Sequence, residues 1–205
     1  MKGPAYRIVT DRLVIRCWTP TDAPLLKAAI DRSLEHLRPW MPWAGTEPQP
    51  VETKVARIRE WRAKFDKDED YIFGVFSRDE KQVLGGTGLH TRVGDRAREI
   101  GYWVHGAHAR QGLATELAGA LTRVAFEVDD VGRVEIHCAP DNHASAGVPR
   151  KLGYTHEATL RAALAQPDGT LRPTMIWTML APELAGSPAA RTRTEAYDCR
   201  GARLL

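Results

Sequence analysis

Residues 108–115, His108-Ala109-Arg110-Gln111-Gly112-Leu113-Ala114-Thr115, join the apolar run Glu99-Ile100-Gly101-Tyr102-Trp103-Val104 to a strongly helical segment. A helix that opens on small residues presents unpaired backbone N–H groups and the positive end of its dipole. That arrangement binds phosphate. A triphosphate loop would need lysine and then Ser or Thr after its last glycine, and here Gly112 is followed by Leu113-Ala114-Thr115. The Gly-x-Gly-x-x-Gly spacing of a dinucleotide fold is also missing. The segment suits a pyrophosphate, with Arg110 as a neighbouring positive charge. Taken alone, it serves equally as an ordinary strand-to-helix turn.

Working outward, residues 71–76, 82–89 and 97–104 read as three strands of an antiparallel meander. Leu113, Leu117, Leu121, Val124 and Val128 mark one face of a helix over 112–128. Arg133 to Cys138 alternates as a strand, Asp141-Asn142 caps a helix that stops at Gly153, and strands follow near 154–161 and 171–180. Before the meander, 7–18 reads as a strand and Thr19 to about Ile30 as a turn and helix, with a short helix over 33–38. Two prolines exclude regular structure from Arg38-Pro39-Trp40-Met41-Pro42-Trp43, and Val51, Val55, Ile58 and Trp61 set a helix over 51–66. Residues 1–181 thus form one domain, and the polar segment 182–205 reads as a tail, disordered or loosely packed.

Composition narrows the function classes. A chain of 205 residues has ample length for one core. A net charge of +3, with basic residues scattered among acidic ones, argues against a nucleic-acid binder. Cys17, Cys138 and Cys199 are widely spaced, which fits neither a disulfide framework nor a zinc site and points to a reducing cytoplasm. Among His90, His105 and His108 no pair has metal-ligand spacing with a third partner, so no metal is expected. No apolar stretch is long enough to span a membrane, and no signal region follows the first residues.

Four motifs in order carry a resemblance: Glu99-Ile100-Gly101-Tyr102-Trp103-Val104, Gly112-Leu113-Ala114-Thr115-Glu116, Asp141-Asn142-His143-Ala144-Ser145 and Arg150-Lys151-Leu152-Gly153-Tyr154. Together they resemble the GNAT acyltransferase superfamily over roughly residues 7–180. The opening Thr10-Asp11-Arg12-Leu13-Val14-Ile15-Arg16 is similar to the branch that acetylates N-termini of ribosomal proteins. The resemblance implies an α/β (α+β) fold with a mixed, mostly antiparallel sheet of about seven strands and helices on both faces. The sheet would splay between its fourth and fifth strands, 97–104 and 132–139. Acyl-CoA would lie in the splay, acetyl-CoA first and another acyl-CoA as the alternative. Its pyrophosphate would rest on Arg110, Gln111, Gly112, Leu113, Ala114 and Thr115, its pantetheine beside the Trp103 and Val104 backbone, and Asn142 and Ser145 near the thioester.

Two positions depart from the superfamily pattern. Ala109 stands where a Gln or Arg opens the phosphate loop, and Arg110 or His108 would compensate. Pro149 stands where many members carry a tyrosine acid. A thiol of pKa about 8.5 leaves tolerably as thiolate, so the acid is helpful and not essential. Ser145 resembles a serine that the branch places near the CoA sulfur, and it would supply that proton or hold a water that does. Pro149 cannot donate to the Ser145 carbonyl, which weakens the helix there. Glu99 matches a glutamate given the base role in this branch. Neutralising a lysine-type amine at pH 7 costs roughly 4.6 kcal/mol, against about 1.4 kcal/mol for an α-amine, so a modest base suffices for an N-terminus. Trp40 and Trp43 form the candidate acceptor wall, with Tyr102, unless the two tryptophans only plug the core. The expected acceptor is a peptide or protein N-terminal amine. The alternatives are a small-molecule amine and a silent acyl-CoA-binding module. A homodimer is in keeping with the branch.

Overall fold

The computed structural model describes residues 3–166 and 168–205. Its strands are Arg7–Val9 (β1), Leu13–Cys17 (β2), Tyr71–Ser77 (β3), Val83–His90 (β4), Ala97–Val104 (β5), Arg133–Cys138 (β6), Thr155–Ala165 (β7), Leu171–Leu180 (β8) and Glu195–Tyr197 (β9). They form one sheet in the order β7-β8-β6-β5-β4-β3-β2-β1-β9. Every pairing is antiparallel except β5 with β6, whose parallel register covers only Ala97↔Arg133, Arg98↔Val134 and Glu99↔Glu135. Beyond Glu99 the two strands part. The expected splay therefore opens between 97–104 and 133–138.

Nine strands replace the expected seven for two reasons. Residues 7–18 are a hairpin and not one strand, because Thr10 Oγ1 accepts the Leu13 N–H at 3.1 Å and turns the chain back on itself. The segment after 182 is not a loose tail. It forms short turns and then β9, which pairs with β1. Its polarity misleads because the few residues that matter are small: Ala189 and Ala196 are fully buried, and Thr192 lies against Gly119. The two prolines at 39 and 42 also tolerate more order than expected. A short turn of 3₁₀ helix runs over Pro42–Thr46, and a proline at its first position gives up no needed N–H.

The helices are Ala23–Asp31 (α1), Leu34–Leu37 (α2), Val51–Asp66 (α3), Leu113–Glu127 (α4) and His143–Leu152 (α5). Helices α4 and α5 cover one sheet face, with Leu113, Leu117, Leu121 and Val124 packed into its core. Helices α1 and α3 cover the other, around Leu26, Ile30, Ile58 and Phe76. Alternation along β5 then assigns its side chains. Ile100, Tyr102 and Val104 face α4 and α5, whereas Trp103 joins the α1–α3 side. Glycines make room on that second face. A Cβ on Gly86 would meet the Trp103 indole at 2.5 Å, and one on Gly88 would meet His90 Nε2 at 2.6 Å. The same His90 ring lies over Gly101. Arg38, Glu47 and Lys54 pin the intervening loop. Arg38 Nη2 donates to the Glu47 carbonyl at 3.0 Å, and the Glu47 carboxylate is paired with Lys54 in a wholly buried ion pair.

Candidate active site

The loop between β5 and α4 is shaped by two left-handed residues, Arg110 (φ 62°) and Gly112 (φ 80°). Glycine adopts this conformation freely, and a non-glycine residue does so at a cost. Among the described residues, none of the backbone N–H groups from Arg110 to Thr115 finds an acceptor. Six consecutive donors are therefore unpaired at the positive end of a 15-residue helix. The loop is held by a contact that the sequence reading missed. Glu116 accepts from Thr10 Oγ1 (2.6 Å), the Arg12 N–H (2.9 Å) and Arg12 Nε (2.6 Å), while Arg12 Nη1 donates to the Gln111 carbonyl (2.9 Å). Burial pushes the Glu116 pKa up, but the Thr10 and Arg12 hydrogen bonds outweigh it and hold the carboxyl below its ordinary range. The remaining guanidinium nitrogen of Arg12, Nη2, lies beside Gly112. A cation thus stands at the loop where Ala109 leaves the usual side chain missing. Arg12→Ala is expected to raise the acetyl-CoA KM about tenfold with kcat unchanged, as the loss of one charge-assisted contact of about 1.5 kcal/mol requires. Steady-state kinetics at varied donor concentration check this.

On the α4–α5 face, Asn142 caps α5, its Oδ1 accepting the Ser145 N–H at 3.1 Å. Its amide nitrogen has no partner among the described residues. Pro149 lies inside α5, so the Ser145 carbonyl lacks its helical donor. Tyr102 repairs this. Its hydroxyl donates to that carbonyl at 3.2 Å and sits 3.0 Å from Ser145 Oγ. With the phenol proton used on the carbonyl, the serine hydroxyl is free to donate. Burial raises the Tyr102 pKa strongly, so the phenol stays protonated. Tyr102 therefore belongs with Ser145 and not with an acceptor wall on the opposite face. Cys138 is buried beside the same serine, and burial raises its thiol pKa. Tyr102→Phe is expected to cost about 1–2 kcal/mol of stability, because a carbonyl is left without a donor. Denaturant unfolding measures it.

On the other face, Glu99 is buried and takes a two-pronged grip from exposed Arg92 (Nε 2.7 Å, Nη2 2.6 Å). Burial works to raise the Glu99 pKa, but the hydrogen bonds and charge of Arg92, beside the His137 and His90 rings, hold it below the ordinary carboxylate range. Trp43 packs edge-on against Trp103, with centroids 6.3 Å apart. Trp40 lies under Arg172, whose guanidinium also donates to the Pro39 carbonyl and to Asp141. Half-buried Trp43 and Trp103 thus form an aromatic pair on the α1–α3 side of the sheet, the side of Glu99, while half-buried Trp40 packs under Arg172. Glu99 and Ser145 flank the splay from opposite faces of the sheet. The sequence reading missed Arg92, Arg172 and the His137–Glu135 pair. Only His137 and Glu135 carried a signal, as polar residues alternating with Val134, Ile136 and Cys138 on a strand beside the splay.

Comparison with known proteins decides the family. A profile described as an acetyltransferase (GNAT) domain matches residues 12–155. The chain belongs to the GNAT acetyltransferase family. This N-acetyltransferase is 28% identical over 175 residues to the uncharacterized N-acetyltransferase YoaA of Bacillus subtilis (strain 168), covering 84% of this chain and 96% of the relative. It is 25% identical over 185 residues to the [ribosomal protein uS5]-alanine N-acetyltransferase of Escherichia coli (strain K12), covering 88% and 93%. Its fold matches Mycobacterium smegmatis RimJ, solved in complex with CoA-disulfide, at a TM-score of 0.79 and 24% identity, covering 87% of each chain. No helix among the described residues is long and apolar enough to cross a membrane.

Proposed function

We propose that the acetyltransferase moves the acetyl group of acetyl-CoA directly to an α-amine, with a peptide or protein N-terminus as acceptor. The observation that carries this is the pairing of β5 with β6 for three residues only, above six unpaired N–H groups. The free edge of β5 from Ile100 to Val104 offers an amide-lined channel to a pantetheine. The donors at Arg110–Thr115 offer a seat to a pyrophosphate, with Arg12 and Arg110 beside it. Tyr102 fixes Ser145 at the channel wall, where its hydroxyl can protonate the leaving thiolate. A backbone N–H near Val104 would hold the oxyanion of the tetrahedral intermediate. On the far side, Glu99 stays ionised and holds the acceptor amine at the splay by a charge-assisted hydrogen bond. The relative that acetylates a ribosomal-protein alanine supports an N-terminal acceptor. The half-buried Trp43 and Trp103 would offer an aromatic wall to the first residue of a peptide.

Thiol release from acetyl-CoA tests the reading, with Ala-, Ser- and Met-headed hexapeptides run against spermidine and an aminoglycoside. Turnover confined to the peptides is expected. Turnover on a small amine alone would replace the acceptor. CoA binding with no thiol release from any of them would leave only a binding module.

A further inference from the structure

Glu99 and Glu135 face one another in the last paired register before the splay. Two carboxylates directly opposite repel. Arg92 neutralises Glu99, and Arg133 Nε donates to Glu135 at 2.6 Å. A third partner is the His137 imidazole, two residues further along the same face of β6. Its Nε2 lies 2.5 Å from Glu135 Oε2, and its Nδ1 lies 3.8 Å from Glu99 Oε2. In the neutral tautomer whose Nε2–H donates to Glu135, Nδ1 is the unprotonated nitrogen, and it stands near the Glu99 carboxylate. Two acceptors 3.8 Å apart have no bond between them, but they frame a place for one N–H donor. That place lies at the end of the paired register, where the splay opens, and His137 is partly exposed.

We propose that His137 takes the proton from the acceptor amine, with Glu135 holding its imidazole and Glu99 holding the amine's charge. This rests on the acyl-transfer reading above and names the carrier of the proton. The ammonium binds between Glu99 Oε2 and His137 Nδ1. One N–H bond breaks, Nδ1 gains the proton, and a neutral amine and an imidazolium result. The amine lone pair forms a C–N bond to the thioester carbonyl. The tetrahedral intermediate then collapses, the C–S bond breaks with its electron pair on sulfur, and the second amine proton passes to the thiolate by way of Ser145. His137 returns its proton to solvent. A carboxylate orienting an imidazole that serves as base is a recurring device. The other charged groups facing this spot are few. Asp70 holds His90 by Nδ1 at 3.0 Å from the β4 side, and β8 contributes apolar Ile176 beside His137.

The test has two arms on the full chain. In the first, ¹⁵N imidazole spectra follow His137 with CoA bound while L-alaninamide is added as the amine probe. A saturable shift at Nδ1 is expected, weakened at least tenfold in Glu99→Gln. In the second, thiol release with the Ala-headed hexapeptide is measured from pH 5.5 to 9.5. His137→Gln is expected to lower kcat/KM for the peptide by about 10²–10³, within the range of general base catalysis, with the acetyl-CoA KM unchanged. Glu135→Gln, which loses the carboxylate that orients the imidazole, is expected to lower kcat/KM for the peptide by about tenfold, with the acetyl-CoA KM unchanged. No response of His137 to alaninamide would overturn the proposal. So would a wild-type pH profile in His137→Gln, or loss of the acid limb in His90→Gln instead. An alaninamide shift without peptide turnover would support the amine site and refute the peptide acceptor.

Discussion

Gln111→Glu is expected to raise the acetyl-CoA KM by about 30- to 100-fold while leaving the fold as stable as before or slightly more so. Gln111 is exposed and its side chain makes one hydrogen bond, to the Ala107 carbonyl at 3.3 Å. A carboxylate there stands just before the first turn of α4. For the helix alone a negative charge at this end is favourable by about 0.3–1 kcal/mol. For a pyrophosphate on the same donors it is unfavourable. At an effective dielectric of about 20, a unit charge about 6 Å from one phosphate and about 8 Å from the other contributes about 3 and about 2 kcal/mol, and a Debye length of about 8–10 Å roughly halves these to about 2–2.5 kcal/mol in all. Stability and donor affinity therefore move in opposite directions, which a merely damaged loop would not show. The change in KM should shrink as ionic strength rises. Equal KM values for mutant and wild type would remove the pyrophosphate from this loop.

Lys54→Met is expected to cost about 3–5 kcal/mol and to lower the melting temperature by about 10 °C, because breaking a buried ion pair leaves one charge uncompensated. Both partners are essentially inaccessible, and the second Glu47 oxygen accepts only the Gln49 N–H at 3.0 Å. Replacing both partners, as Lys54→Met with Glu47→Leu, should recover most of the loss, since an apolar pair of similar volume needs no desolvation of charge. The pair ties α3 to the loop that carries Trp40 and Trp43. The single variant should therefore raise the acceptor KM well before it unfolds the chain. Thermal unfolding of the single and double variants, with peptide kinetics below the transition, separates these effects.

The strongly periodic elements were legible in the sequence because one principle governs each. The apolar stripe of α4, the alternation of β6 and the Asn142 cap of α5 were read within a residue or two of their ends. The splay was reached through the order of motifs, since three paired residues followed by divergence leave no local signature. What failed was of two kinds. The edge strand β9 rests on two buried alanines in a polar segment, a signal too weak to rise above its neighbours. The polar side chains that support the site come from distant stretches: Arg12 reaches Glu116 across 104 residues, and Arg172 reaches Pro39 across 133. Such partners depend on tertiary approach, and spacing along the chain does not encode them. The face of β5 explains the remaining difference. Period-2 alternation sends Tyr102 and Trp103 to opposite sides, so the two aromatics serve different halves of the site.

The most direct measurement is an amide ¹H–¹⁵N titration of the protein with CoA. Saturable one-to-one shifts should concentrate at the N–H groups of residues 110–115 and along 100–104, with β1 and β9 unmoved. Saturable binding that leaves those amides unchanged, or no binding at millimolar CoA, would contradict the seat assigned to the donor.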